Sequence, residues 1–133
     1  MIYLLDTNAI SALMRADARM ASWLSSIGGD DSVVTCTVTR GEILFGLERM
    51  DRGRRRADLE AKAAKLFAII PCESLSPAAA DRYARVKATQ QRRGLPLDEN
   101  DLWIAATALA LDATLVSRDS DFRAVEGLAV VEP

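Results

Sequence analysis

Apolar residues in this chain follow two rhythms, and the two alternate from one end to the other. Ile2–Leu5 is a short, continuously apolar run, the pattern of a strand buried on both faces. Asp6-Thr7-Asn8 opens a short helix through about Met14. Asp17 is placed to cap a second helix carrying Met20, Trp23, Leu24 and Ile27, and Gly28–Asp31 is a turn signal. Ser32–Cys36 reads as strand two. Thr39 to about Met50 is predicted helical, with Ile43, Leu44 and Leu47 as its apolar stripe, and Gly53 interrupts. The next helix carries Leu59, Ala63, Leu66 and Phe67 at helical spacing. Phe67–Cys72, with Ala68-Ile69-Ile70 inside it, reads as strand three. Ser76-Pro77 is an N-cap followed by proline at the first helical position, and that helix runs to about Arg93, where Gly94 and Pro96 stop it. Asp98 caps a helix through about Leu111. Thr114–Ser117 is strand four, Ser120–Val125 a short helix and Leu128–Val131 a final strand.

Strands alternating with helices argue for a three-layer α/β fold around a mostly parallel sheet. The 133 residues are expected to form one domain, 1–133, with a single core. Half the residues are apolar and 27% are charged, the balance of a soluble globular chain. No apolar stretch approaches the ~20 residues of a membrane span. The start has no basic region before Asp6, so no signal peptide is expected and the cytoplasm is the expected location. Cys36 and Cys72 lack metal or redox spacing and are expected to be buried, reduced thiols.

Four acids change the picture. Asp6 directly follows strand one, and Asp119 lies just beyond strand four. Glu42 is expected in the first turn of the helix after strand two, and Asp101 in the first turn of the helix leading to strand four. Strand ends and the N-termini of the intervening helices share the carboxyl edge of such a sheet, where ligands bind. Each acid alone also suits helix capping, and Thr39-Arg40-Gly41-Glu42 fits a capping box. Together they are a different matter. Two carboxylates ~5 Å apart repel by roughly 3 kcal/mol at an effective dielectric of 20, and four repel more. Such a rim must protonate, find basic partners or bind a cation. The chain has no histidine, and carboxylate oxygens are hard ligands suited to Mg²⁺ or Mn²⁺. The chemistry indicated is a metal-dependent nuclease.

The net charge of −2 does not oppose a nucleic-acid partner, because four of the 19 acids belong to this rim. Fourteen of the 17 basic residues are arginines, clustered at Arg49, Arg52, Arg54, Arg55 and Arg56 and again at Arg92 and Arg93. Arginine forks suit phosphate, although a solvated helix face has the same composition. Arg118 is open to two readings, a phosphate contact or a local salt bridge. Trp23 and Trp103 read as packing residues, Trp103 in the core or at a subunit interface.

Leu5-Asp6-Thr7-Asn8, Arg40-Gly41-Glu42-Ile43, Asp101–Ala106 and Leu115–Phe122 occur in the order and spacing of a known family. By these pieces the chain resembles a PIN domain of the VapC type, the ribonuclease toxin of a toxin–antitoxin pair. The resemblance implies a five-stranded parallel sheet, Mg²⁺- or Mn²⁺-dependent endoribonuclease activity on RNA, inhibition by a small cognate antitoxin, and a homodimer. It implies the acidic quartet Asp6, Glu42, Asp101 and Asp119, with Asp6, Asp101 and Asp119 as metal ligands. Asp121 competes with Asp119 for the last place, and Asp98 and Glu99 are expected to be caps or supporting residues. Ser117 stands where threonine is frequent, its hydroxyl placed to bond Asp6.

Two other classes remain open at this point. A non-catalytic PIN-fold binding module has no need of four mutually repelling acids. A phosphoryl-transfer enzyme needs a lysine in a loop, and Lys62, Lys65 and Lys87 all fall in predicted helices.

Overall fold

Five parallel strands run side by side in the order β3-β2-β1-β4-β5 in the computed structural model, which describes residues 1–133. They are β1 (Ile2–Leu5), β2 (Ser32–Cys36), β3 (Cys72–Glu73), β4 (Thr114–Val116) and β5 (Val130–Val131). Six helices connect them: α1 (Thr7–Met14), α2 (Ala18–Ser26), α3 (Thr37–Glu48), α4 (Arg54–Ile69), α5 (Pro77–Arg92) and α6 (Glu99–Ala110). A 3-10 helix, Ser120–Ala124, follows β4.

Alternate residues of the central strands face opposite layers, as strand geometry requires. Leu5 and Val116 pack with Ile10, Met20, Ile43, Leu47 and Ala63 from α1–α4. Leu4, Val34 and Leu115 pack on the other side with Ile104, Ala105 and Ala108 of α6, and with Phe122. Helix α5 covers α6, where the Tyr83 ring stacks on Trp103 at 3.8 Å between centroids. Trp103 therefore packs within the chain. Trp23 meets the edge of Tyr3. No helix is long and apolar enough to cross a membrane.

Several predicted caps hold. Asp6, Asp17 and Ser76 accept from the backbone N–H groups of Ala9, Met20 and Ala79. Gly94, at φ +70°, follows the end of α5, a left-handed position that glycine takes without strain.

Several expectations fail, among them the Asp98 side-chain cap and a final strand reaching back to Leu128. Ala68 and Ile69 end α4, and β3 is only Cys72–Glu73; a short apolar run does not distinguish a buried helix end from a strand. Helix α3 begins at Thr37, directly after β2, with Cys36 as an N-cap residue that makes no side-chain bond. Glu42 is thus in the second turn, and the capping box does not form. Leu44 is 42% exposed rather than part of the buried stripe. Cys72 is exposed while Cys36 is buried, and both thiols are free.

Phe122 is 1% exposed and anchors the segment after β4 to the α6 layer. Phe122→Ala is expected to lower stability by about 3–5 kcal/mol, read from the midpoint of urea unfolding.

Candidate active site

The chain reverses its direction of progress across the sheet at β1, which has β2 on one side and β4 on the other. Beyond the carboxyl ends of strands at such a switch point lies a crevice that loops do not cross. Asp6 and Ser117 are the residues that leave β1 and β4 there. The Asp6 N–H still bonds the Val116 carbonyl at 3.2 Å, so both residues are fixed by the sheet itself.

Asp6 is only 3% exposed. Its Oδ1 accepts from Ala9 N–H at 2.8 Å, and the Ser117 hydroxyl donates to the same carboxylate. Burial pushes the Asp6 carboxyl above its usual range. Those two hydrogen bonds pull it back, and the charges of Asp119 and Glu42 add to the rise. Ser117 Oγ also accepts from Asp119 N–H at 3.0 Å, so one side chain ties the end of β1 to the loop after β4.

Glu42 reaches the crevice from the second turn of α3. Its Oε1 accepts the Thr7 hydroxyl at 2.6 Å, the length of a charge-assisted bond. Thr7 has one proton, so its 3.3 Å contact with Thr39 is made by Thr39 donating. The hydroxyls therefore line up toward the carboxylate. The sequence paired Thr39 with Glu42 only through the capping box, which does not form, and Thr7 is brought to Glu42 by the fold alone.

Asp101, in the first turn of α6, is pushed up to about 7. Burial is the main cause, followed by the charges of Asp119, Asp98, Glu42 and Asp6. All four candidate acids thus share one electrostatic neighbourhood. It is Asp119 whose charge acts on Asp6 and Asp101, while Asp121 is exposed and gives its backbone N–H to Asp119 Oδ1. Asp98 starts α6 without a side-chain capping bond, and Glu99 pairs with Tyr83 and Lys87 away from the acids.

None of the four has a basic partner. The arginines adjacent in sequence turn elsewhere. Arg40 lies over the Phe67 ring at 4.8 Å. Arg118 forks onto Asp17 with two 2.9 Å bonds and donates from Nε to the Pro133 carbonyl. Arg118 thus forms a salt bridge, though not the local one expected. Its partner lies 101 residues away, so the bridge locks the loop carrying Asp119 to the start of α2.

Comparison along the whole chain decides the family. The PIN domain profile matches residues 3–128. This chain belongs to the PIN-domain family. Ribonuclease VapC1 of Haemophilus influenzae (strain R2866) is 30% identical over 123 residues, 90% of this chain and 87% of that protein. The solved structure of VapBC-1 from nontypeable Haemophilus influenzae is similar at a TM-score of 0.87 and 26% identity, covering 99% of this chain and 98% of that one. VapBC-5 from Mycobacterium tuberculosis, a member of the VapBC family of toxin-antitoxin systems, is similar at 0.76 and 26% identity, covering 98% of this chain and 96% of that one. Within the PIN-domain family the chain groups with the VapC-type proteins.

The donor set of this PIN domain fits a hard divalent cation: carboxylate oxygens, one of them on a buried residue, without a cationic side chain to neutralise them. No three acids or cysteines close on a single point. Mg²⁺ does not require that, being held by one or two carboxylates with several waters retained.

Opposite pH behaviours are expected from the two acidic environments. The Asp101 carboxyl is raised in the folded protein, so the fold binds more protons than the unfolded chain between about pH 4 and 7. Metal-free protein should lose stability as pH rises through that window, and Asp101→Asn should flatten the loss in urea melts with chelator present. Asp17 is held well below the usual carboxylate range by the Arg118 guanidinium. Its stabilising effect is complete above the unfolded value of about 4 and fades as pH falls below it. Asp17→Asn should accordingly destabilise at pH 7 by more than at pH 3, in thermal melts of both proteins.

Proposed function

We propose that the chain is a Mg²⁺- or Mn²⁺-dependent endoribonuclease, the toxin of a toxin–antitoxin pair, held inactive by a small cognate antitoxin. The observation that carries this reading is the group of four carboxylates without basic partners at the switch point of a PIN fold. Relatives named ribonuclease and a structural neighbour from a toxin-antitoxin system support it. A homodimer is proposed on the same family grounds.

Asp6, Asp101 and Asp119 are the residues that would hold the cation, directly or through water. A divalent ion held by them would act as a Lewis acid on the phosphodiester and lower the pKa of a bound water toward neutrality. The protein's own groups do the rest. Ser117 and Ala9 N–H fix the Asp6 carboxylate in one orientation. Thr7 occupies Oε1 of Glu42, which leaves Oε2 to accept a proton of the attacking water and aim its lone pair at phosphorus. Attack forms the new P–O bond as the bond to the leaving ribose oxygen breaks, and that oxygen takes up a proton from solvent. Histidine has no part in this chemistry, since the chain contains none.

Purified protein incubated with a cellular RNA pool and Mg²⁺ or Mn²⁺ should give discrete fragments. They should vanish with chelator and with Asp101→Asn. Intact RNA in every lane, from folded protein free of antitoxin, would favour a binding module instead. Ser117→Ala keeps all four acids and removes one supporting hydroxyl; cleavage is expected to fall about 10- to 100-fold.

A further inference from the structure

Helix α3 has a polar and aromatic face that the acidic centre does not use up. Glu42, Phe45, Gly46 and Arg49 fall at i, i+3, i+4 and i+7, so they form one stripe beside the buried Ile43 and Leu47. The stripe runs about 10 Å along the helix axis, from the crevice to the loop before α4. Phe45 is 62% exposed, the one aromatic among the exposed large apolar side chains. A single exposed apolar residue is ordinary. Its surroundings are not. Glu42, Phe45, Arg49, Thr7 and Asn100 line one open cleft of about 620 Å³. Gly46 contributes no side chain to it, and a Cβ there would meet nothing within 4 Å.

Arg49 sits with its guanidinium 5.5 Å from the Phe45 ring centroid. It also lines a second cleft, of about 670 Å³, with Arg52, Arg54 and Arg55. The five arginines of this segment divide sharply. Arg56 is tied to Glu60, Glu48 and the Met50 carbonyl. Arg49, Arg52, Arg54 and Arg55 have no carboxylate partner. An exposed ring beside unpaired guanidinium groups, leading out of an acidic centre, combines a stacking surface with phosphate-binding charge.

We propose that this face of α3 is a subsite for single-stranded RNA, with one nucleobase stacked on Phe45 and the adjoining phosphates running over Arg49 toward Arg52, Arg54 and Arg55. The proposal rests on the ribonuclease reading and names where its substrate lies. Stacking needs an unpaired base, so the preferred substrate is a loop or an unstructured strand rather than a duplex. A second copy of the chain is a poorer occupant. A two-fold axis through Phe45 would set this arginine-flanked face against itself.

The test is fluorescence anisotropy with a labelled single-stranded RNA of mixed sequence, in an Asp101→Asn background that keeps the RNA intact. Phe45→Ala should weaken binding about 10- to 100-fold, with Phe45→Tyr restoring it and with thermal melts unchanged. Arg49→Ala should reduce the slope of log affinity against log salt by about 0.7 for each phosphate that the guanidinium neutralises. A blunt RNA duplex should bind Phe45→Ala and its parent alike. Unchanged single-strand binding in Phe45→Ala, while the otherwise wild-type protein still cleaves RNA, would overturn the subsite and leave the ribonuclease reading standing. If Phe45→Ala instead dissociates a dimer in sedimentation and binds RNA normally, the face belongs to a second copy. Failure of the parent to bind, joined to failure of wild type to cleave, would remove both readings.

Discussion

Repulsion among carboxylates at the ends of β1 and β4 sets the terms for the neighbouring structure. Asp6 is buried where the sheet leaves it no room to turn away, and Asp119, Glu42 and Asp101 bring further negative charge to the same crevice. The fold answers locally with N–H and O–H donors. Ala9 N–H and Ser117 serve Asp6, Asp121 N–H serves Asp119, and Thr7 serves Glu42. These are dipoles, and they do not cancel full charges. The nearby cations are engaged elsewhere, Arg118 with Asp17 and Arg40 over Phe67. The divalent cation of the proposed function would supply the positive charge that these groups do not.

That imbalance explains the division of labour around the site. Residues that hold the acids are packed or hydrogen-bonded into the sheet and its helices, as Phe122 and Ser117 are. Arg49, Arg52, Arg54 and Arg55 lie at the end of α3, in the loop after it and at the start of α4, and none of them pairs with the acids. Had they folded back into the crevice, they would have quenched its charge and competed with a cation for the same oxygens. Acid at the centre and arginine along the approach is the separation that the proposed nuclease, attracting a polyanion and binding a metal ion, would require.

Much of this was legible in the sequence, because strand ends in a parallel sheet are fixed by hydrophobic runs. Ile2–Leu5 and Thr114–Val116 end where their apolar runs end, which placed Asp6 and Asp119 correctly on one rim. Helix α6 and Asp101 followed from its cap and apolar stripe. Glu42 was harder. Thr37 and Val38 are β-branched and look like more strand, yet α3 starts there without a loop, which shifts Glu42 into the second turn. Ala68 and Ile69 misled for the reverse reason, as an apolar helix end resembles a buried strand. The Arg118–Asp17 bridge and the Thr7–Glu42 bond were invisible because both join residues far apart in the chain, 101 and 35 positions respectively. Exposure of Cys72 depended on β3 being a two-residue edge strand.

The central claim is that this charge imbalance is resolved by a divalent cation, and the most direct measurement is thermal unfolding with Mn²⁺ titrated against chelator at pH 8. Ligand bound only by the folded state stabilises it, by about 2.7 kcal/mol at a hundred times Kd. The account predicts a saturable rise in Tm for the wild-type protein, lost in Asp6→Asn and in Asp101→Asn. A Tm indifferent to Mn²⁺, or a rise of the same size in both variants, would contradict it.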